Sequence, residues 1–159
     1  MALELSPSAR EKLRAIVGRY PDKMAACLPA LHLAQQEFGT TSAEVCDAVA
    51  RELGLPPAHV WGVATFYTMY NKQPVGKYHV QVCTNVSCML LGGYGVLRHL
   101  ERVLGVRAGQ TTADGKFTLA EVECLAACGT AVCIQVNEEY SEGMDAAKAE
   151  RLIEELRRA

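Results

Sequence analysis

The sequence lacks long hydrophobic runs: its apolar stretches, such as residues 55–64, are far shorter than the roughly 20 residues that a membrane span needs. It also lacks a basic stripe, since 16 Lys and Arg residues are balanced by 18 Asp and Glu residues, so nothing indicates nucleic-acid binding. The first dozen residues contain four charged side chains and no apolar segment typical of a secretory signal. We therefore expect a soluble protein in a reducing, cytoplasmic compartment.

Motifs for hydrolysis and for nucleotide binding are also missing. The sequence has no Ser-His-Asp order, no paired carboxylates and no H-E-x-x-H. The glycine-rich residues 91–95 match neither G-x-G-x-x-G nor the Walker spacing, so we interpret them as a turn into a helix. The histidines show no metal-pair spacing with one another. We therefore expect no bond-making chemistry on this chain.

Cysteine, in contrast, is plentiful, with seven residues in a chain of 159. An odd number does not suit complete disulfide pairing, and a chain of this length can bury a core without disulfides. Four of the cysteines form two close pairs, Cys83-x4-Cys88 and Cys124-x3-Cys128. Each pair starts where a predicted strand runs into a loop, so the two loops could bring four thiolates together.

Several kinds of site remain open on this spacing. A 2Fe-2S cluster is favoured, because each of its two irons needs two thiolates besides the bridging sulfides. Cys83 and Cys88 would then hold one iron, and Cys124 and Cys128 the other. A structural zinc-binding adaptor is the main alternative, although zinc knuckles usually use C-x2-C. A dithiol oxidoreductase is less favoured because C-x-x-C is absent, and a metal-free structural adaptor is the remaining alternative.

The other three cysteines are interpreted as structural. Cys27 and Cys46 lie in predicted helices, where buried thiols behave as small hydrophobic side chains. Cys133 lies in the strand-like run A-V-C-I-Q-V, where an ordinary packed thiol is more common than a spare ligand.

Apolar residues at helical spacing predict four helices in the first 70 residues: 8–20, about 22–38, a third between Thr41 and Gly54, and a fourth after Pro57 that includes 59–70. Pro29 predicts either a kink or a late start of the second helix. Thr41 and Glu44 predict a capping box for the third. The fourth is apolar nearly all round, which is typical of a central or interface helix.

The pattern changes to strands and helices after residues 71–77, a connector containing Pro74 and Gly76. We predict strands and helices in the order strand, helix, strand, strand, helix: 78–82, 94–104, 117–122, 132–136 and 146–156. Such alternation predicts an α/β fold with helices packed on a small sheet, most simply thioredoxin-like. The predicted domains are a helical, partner-docking domain over 1–73 and a thioredoxin-like 2Fe-2S domain over 74–159.

The chain resembles the small ferredoxin-like subunit that accompanies the flavin-binding subunit of respiratory complex I. Related subunits occur in NAD-linked hydrogenases and formate dehydrogenases. The resemblance covers almost the whole chain through three segments: HVWGVATFYTMY, GKYHVQVCTNVSC and ADGKFTLAEVECLAACGTAVCIQVNEEY.

This resemblance implies one 2Fe-2S cluster held by Cys83, Cys88, Cys124 and Cys128. It implies that FMN and NADH bind to a partner subunit, so that this chain relays electrons as a non-catalytic subunit of an NADH dehydrogenase. Complex I is the expected parent, with a hydrogenase or formate dehydrogenase as the alternative. The chain would then lie in the cytoplasm, at the membrane face through its complex and without inserting itself.

Two positions depart from the family pattern. Ala126 stands where a glycine is usual, and Val132 stands where a proline is usual. Neither is an expected ligand, so the departures bear on the conformation of the second loop rather than on the presence of the cluster.

Overall fold

The structure, a computed structural model, describes residues 3–159, so the first two residues of the predicted helical domain lie outside it. The chain forms two compact units, Met1–Pro74 and Val75–Ala159. Among the residues described, the first unit contains only helices, and the second combines helices with a sheet. No helix in this described range is long and apolar enough to cross a membrane.

The described part of the first unit contains four helices: α1 (Pro7–Val17), α2 (Cys27–Phe38), α3 (Ala43–Leu53) and α4 (Pro57–Phe66). Helix α1 begins where the Ser6 side chain accepts a hydrogen bond from the Ala9 N–H at 3.2 Å. It ends at Val17, three residues before the predicted end, and Gly18 caps it.

Helix α2 starts late, at Cys27, which places Pro29 within the first turn, where the lack of an N–H is tolerated. The capping box predicted from Thr41 is wrong, because the N-cap lies one residue later. Ser42 is the N-cap of α3, and its side chain accepts a hydrogen bond from the Val45 N–H at 3.4 Å. The Thr41 hydroxyl is buried and instead donates to the Asn71 carbonyl oxygen at 3.3 Å.

Helix α4 is shorter than predicted, because the backbone becomes extended at Tyr67. Tyr70 then returns to the core, where its ring is 1% exposed and its hydroxyl donates to the Leu28 carbonyl oxygen at 2.9 Å. Helix α4 was predicted to be central or at an interface; Phe66 is 78% exposed, so α4 is not central in this unit, and the interface role stays a prediction. The helices share a core of buried side chains that includes Leu13, Leu31, Val45, Val49, Leu53, Val60 and Tyr70.

The second unit is built on a five-stranded sheet with the order β2-β3-β1-β4-β5. Its strands are β1 (Tyr78–Cys83), β2 (Gln110–Thr111), β3 (Phe117–Val122), β4 (Ile134–Val136) and β5 (Glu139–Ser141). Strands β1 and β3 are parallel, and the other neighbours are antiparallel. The central strand β1 is therefore paired on both sides, with β3 and with β4.

Three helices belong to this unit: α5 (Val86–Leu90), α6 (Gly93–Leu104) and α7 (Ala146–Arg158). The connection from β1 to β3 runs through α5 and α6, as a parallel pair requires a crossover. Helix α6 packs on β1 and β3, and α7 packs against α6. They share a core that includes Val80, Val82, Leu97, Leu100, Leu119, Ile134 and Ile153.

The predicted elements of this unit are present with small shifts, and α5 was missed. Helix α5 occupies residues that were predicted as a loop, and it begins where the Asn85 side chain accepts from the Val86 N–H at 2.8 Å. The strand predicted from residue 132 starts at Ile134. The short strands β2 and β5 were also not predicted.

Candidate metal centre

The two cysteine loops start at the same edge of the sheet. Because β1 and β3 run in parallel, their carboxyl ends lie side by side, and Cys83 at the end of β1 pairs with Val122 at the end of β3. Cys124 follows two residues after Val122. The fold thus brings the first thiol of each predicted pair to one place.

The first loop is tied to β3 by Thr84. The Thr84 N–H donates to the Val122 carbonyl oxygen at 3.2 Å, and the Thr84 hydroxyl donates to Glu121 Oε1 at 2.7 Å. Asn85 then starts α5, in which Cys88 is the third residue. One helical turn therefore returns Cys88 toward the strand end that carries Cys83.

The second loop is anchored by Leu125, which is 8% exposed and belongs to the core. Ala126 follows with φ 58°, in the left-handed region where a glycine would be unstrained. Its N–H donates to Cys124 Sγ at 3.2 Å. The loop therefore adopts a glycine-type turn at the position where the family usually has glycine, and it aims a backbone donor at a sulfur.

The second loop ends in a short 3-10 turn, Cys128–Thr130. Two hydrogen bonds join it to the segment before α7: the Gly143 N–H donates to the Thr130 carbonyl oxygen at 2.7 Å, and the Met144 N–H donates to the Val132 carbonyl oxygen at 2.9 Å. Val132 is buried, and the peptide bond that precedes it is cis.

Backbone N–H groups surround the Cys83 sulfur. It lies within hydrogen-bonding reach of the N–H groups of Asn85 and Leu125 and of the thiols of Cys88 and Cys124. Burial by itself raises the pKa of the Cys83 thiol, but the N–H groups of Asn85 and Leu125 stabilise the thiolate. As a result the pKa of Cys83 lies below its usual value.

The Cys88 sulfur has a different balance. Burial raises the pKa of the Cys88 thiol, and the nearby sulfurs of Cys83 and Cys128 raise it further. The Cys133 N–H, which donates to this sulfur, acts in the opposite direction without overcoming them. Cys88 therefore favours a charged form only when a positive partner compensates for its burial, as a bound metal would.

The two pairs differ in solvent exposure. Cys83 and Cys88 are 3% and 2% exposed, whereas Cys124 and Cys128 are exposed. All seven cysteines, which lie in the described part of the chain, are free thiols. The site is thus closed on the side of the first loop and open on the side of the second.

The donor set of four thiols fits a 2Fe-2S cluster. Within residues 3–159, no three His, Cys, Asp or Glu side chains are grouped closely enough to hold one metal ion. The Cys83 sulfur lies near those of Cys88 and Cys124, and the Cys88 sulfur is close enough to Cys128 for their charges to interact. Two irons that take two thiolates each suit such an arrangement, and N–H donors to sulfur are common around such clusters.

The remaining three cysteines are not proposed ligands, although the Cys133 sulfur lies near those of Cys83 and Cys88. Cys27 and Cys46 are buried in the helical unit, where the Cys46 thiol contacts the Thr41 carbonyl oxygen at 3.5 Å. Cys133 is buried beside the site, but its main chain makes the contacts: its carbonyl oxygen accepts from the Cys83 N–H at 3.1 Å. Sequence reasoning missed this role, because a backbone contact leaves no signature in residue type.

Comparison with known proteins identifies the family. A family model described as thioredoxin-like [2Fe-2S] ferredoxin matches residues 13–157. The chain is 47% identical over 150 residues to an E-type subunit of the NADH-quinone oxidoreductase of Rhizobium meliloti (strain 1021). The matched region covers 94% of this chain and 89% of that subunit. It is 44% identical over 143 residues to the corresponding protein of the same enzyme from Rickettsia prowazekii (strain Madrid E), with coverages of 88% and 81%.

The fold also has solved counterparts. A crystal structure of an NAD+-reducing [NiFe]-hydrogenase in the H2-reduced state superposes with a TM-score of 0.71 at 24% identity, and it covers 83% of this chain. This chain spans 22% of that hydrogenase chain, so the likeness concerns the fold alone. The thioredoxin-like α/β fold predicted from the sequence is thereby confirmed. The chain belongs to the thioredoxin-like [2Fe-2S] ferredoxin family.

Proposed function

We propose that this chain is the electron-transfer subunit of an NADH-quinone oxidoreductase, with one 2Fe-2S cluster held by Cys83, Cys88, Cys124 and Cys128. The proposal is supported by the parallel ends of β1 and β3, which start both cysteine loops at one sheet edge, and by the Ala126 N–H that donates to Cys124 Sγ. The relatives from Rhizobium and Rickettsia, which are subunits of that enzyme, support the same class of function.

Such a cluster supplies a centre that takes up and releases single electrons. The protein sets the properties of that centre through hydrogen bonds and burial. The Ala126 N–H donates to the Cys124 sulfur, and the N–H groups of Asn85, Leu125 and Cys133 lower the pKa of the neighbouring thiols, so all four offset negative charge on sulfur. Cys83 and Cys88 are buried, which excludes water from their sulfurs and strengthens these contacts.

Electron exchange with a partner would occur at the open side. Cys124 and Cys128 are exposed there. Exposed apolar side chains also flank Cys88 along α5 and the start of α6: Val86, Met89, Leu90, Leu91 and Tyr94. An apolar rim of this kind fits a protein partner that covers the thiols and brings its own redox group close. We assign FMN and NADH to that partner, because this sequence has no dinucleotide-binding glycine motif.

The helical domain, proposed as residues 1–73, would strengthen the same association. Trp61, Phe66 and Met69 are 39%, 78% and 43% exposed, although they belong to the most apolar segment of the chain. Exposed aromatic and methionine side chains are enriched at protein interfaces. The domain over 74–159 would then carry the cluster while residues 1–73 hold the flavoprotein.

A cytoplasmic position, at the membrane face through the complex, belongs to the same proposal. Seven free thiols suit a reducing compartment. The alternative parent, an NAD-linked hydrogenase or formate dehydrogenase, is less favoured, because the hydrogenase likeness rests on 24% identity whereas the relatives from NADH-quinone oxidoreductases reach 47%. A zinc adaptor is less favoured because the family model that matches residues 13–157 is that of a [2Fe-2S] ferredoxin.

The test is anaerobic purification of the full chain, followed by quantification of iron, acid-labile sulfide and zinc and by electron paramagnetic resonance after reduction. Two irons and two sulfides per chain are expected. Replacing any one of the four proposed ligands with Ser should abolish or weaken the spectrum, whereas Cys27→Ser should leave it unchanged. One zinc per chain without sulfide would refute the proposal.

A further inference from the structure

The first residue of α6, Gly93, lies unusually close to the first cysteine loop. A Cβ atom built on Gly93 would lie 2.9 Å from the carbonyl oxygen of Cys83 and 2.9 Å from that of Cys88. It would also lie 3.1 Å from the carbonyl carbon of Cys88. These atoms belong to the main chain, so they cannot move aside as a flexible side chain could.

This close approach follows from the turn between α5 and α6. Gly92 adopts φ 98°, a conformation that favours glycine, and the chain reverses there so that α6 begins against the end of β1. Gly93 is buried at that contact. The carbonyl groups of the two buried cysteines are therefore packed directly against the backbone of α6.

We propose that Gly93 is a positioning residue for the cluster: the absence of a side chain at residue 93 sets the relative placement of Cys83 and Cys88. This inference rests on the proposed ligation of the cluster by these two cysteines. A methyl group at residue 93 must displace the main chain of one or both of them. Their sulfurs and the N–H donors around them then shift, while Cys124 and Cys128 stay in place.

Two other glycines provide matched controls. Gly95 lies two residues further along α6, and a Cβ built there meets nothing within 4 Å. Gly76 is as tightly packed as Gly93, since its Cβ would lie 2.8 Å from the Gly115 carbonyl oxygen and 3.0 Å from that of Lys116. Gly76 lies before the start of β1, whereas Cys83 ends that strand. Gly76→Ala therefore imposes comparable overpacking far from the site.

The experiment compares Gly93→Ala, Gly95→Ala and Gly76→Ala in the full, cluster-loaded chain, after iron and sulfide have been quantified in the unsubstituted protein. The readouts are the g-values and midpoint potential of the reduced cluster, the rate of cluster release to a chelator, and the unfolding temperature. Gly93→Ala should change the g-values and the potential and should speed release on the order of tenfold.

The controls separate positioning from general destabilisation. Gly76→Ala should lower the unfolding temperature with the spectrum and potential unchanged. Gly95→Ala should also leave the spectrum and potential unchanged and should not lower the unfolding temperature, because alanine is favoured over glycine within a helix. Identical g-values, potential and release rate in Gly93→Ala and the unsubstituted chain would overturn the proposal. Equal spectral shifts in Gly93→Ala and Gly76→Ala would overturn it as well. If the unsubstituted chain carried no iron and sulfide, the proposed function itself would fail first.

Gly93→Ala could be isolated without a cluster, in which case circular dichroism of the refolded chain decides. The positioning role is supported if Gly93→Ala has the same helical content as the unsubstituted protein but binds less iron and sulfide on reconstitution. A chain that loses its helical content, while Cys83→Ala and Cys88→Ala keep theirs, shows that the methyl group disrupts the fold and overturns the proposal.

Discussion

The carbonyl oxygen of Cys133 accepts a hydrogen bond from the N–H of Cys83 at 3.1 Å. The Cys133 N–H lies near the Cys88 sulfur and lowers the pKa of that thiol, so the main chain of one residue acts on both members of the first pair. The Cys133 thiol takes no part in this, since it is fully buried and faces the Ile134 carbonyl oxygen at 3.8 Å.

Cys133→Ala should therefore retain the cluster, because the substitution keeps both main-chain groups. Visible absorption and the electron paramagnetic resonance spectrum of the reduced protein provide the measurement. Cys88→Ala, which removes a proposed ligand, is the matched comparison and should lose or cripple the cluster. Loss of the cluster in Cys133→Ala would mean that its thiol is a ligand after all.

Ala126→Gly should stabilise the protein. Ala126 adopts φ 58°, which costs an L side chain roughly 1–2 kcal/mol, and part of that gain is offset by the greater freedom of glycine in the unfolded chain. A net increase of about 0.5–1 kcal/mol in the free energy of unfolding is expected in denaturant titrations.

The neighbouring Ala127→Gly is its control. Ala127 has φ −101°, outside the left-handed region, so glycine gains nothing there and should destabilise the chain. Equal effects of the two substitutions would contradict the explanation by backbone strain.

The cysteines should differ in their reactivity with iodoacetamide at pH 8 in the metal-free chain. Burial raises the pKa of Cys46 to about 11 and also raises the pKa of Cys27, so both stay protonated and shielded. Cys124 and Cys128 are exposed and should be modified first, as followed by mass spectrometry of peptides.

The reaction of Cys46 should accelerate as the pH rises toward 11, because only the thiolate reacts. Loading the cluster should protect Cys124 and Cys128 without changing the rates of Cys27 and Cys46. Fast labelling of Cys46 at pH 8 would show that the helical core is open in solution.

Phe66→Ser should weaken binding of the proposed flavin-bearing partner without reducing the stability of the chain. Phe66 is 78% exposed, so the folded chain alone gains little from burying it, whereas an aromatic anchor in an interface contributes about 2 kcal/mol. Tyr140→Ser, at a side chain that is 50% exposed on β5, serves as the control. Unchanged affinity in Phe66→Ser, measured by calorimetry, would remove the helical segment from the proposed interface.

Tyr70→Phe should destabilise the helical unit by about 1 kcal/mol, because it removes the hydrogen bond from the buried hydroxyl to the Leu28 carbonyl oxygen. The ring contacts are kept. Tyr67→Phe is the control, since Tyr67 is 37% exposed and packs against the Tyr70 ring with 6.4 Å between the ring centroids. Thermal unfolding followed by circular dichroism distinguishes the two.

Much of this fold was predictable because the spacing of apolar residues in its longer elements repeats over several helical turns or strand periods. Helix α6 and strand β3 have apolar residues at regular spacing, and both lie within a residue of their predicted bounds. Helix α5 has only five residues, too few for a helical period to show, and its start depends on the Asn85 side chain.

The site was predictable in its residue types but not in its surroundings. Cysteine spacing indicated the four thiols, whereas the parallel pairing of β1 with β3 depends on long-range contacts. The roles of Cys133 and Gly93 arise from main-chain positions. Such contacts are properties of the folded backbone, and no residue pattern in one sequence records them.

Because the two cysteine pairs are unequally buried, the centre is accessible to solvent mainly from one side. Oxygen and peroxide can approach only the side where Cys124 and Cys128 lie, while Cys83 is held in a strand paired on both edges. Oxidative damage to an isolated subunit would therefore begin at the second loop. A partner seated over that loop would act as a shield as well as an electron donor.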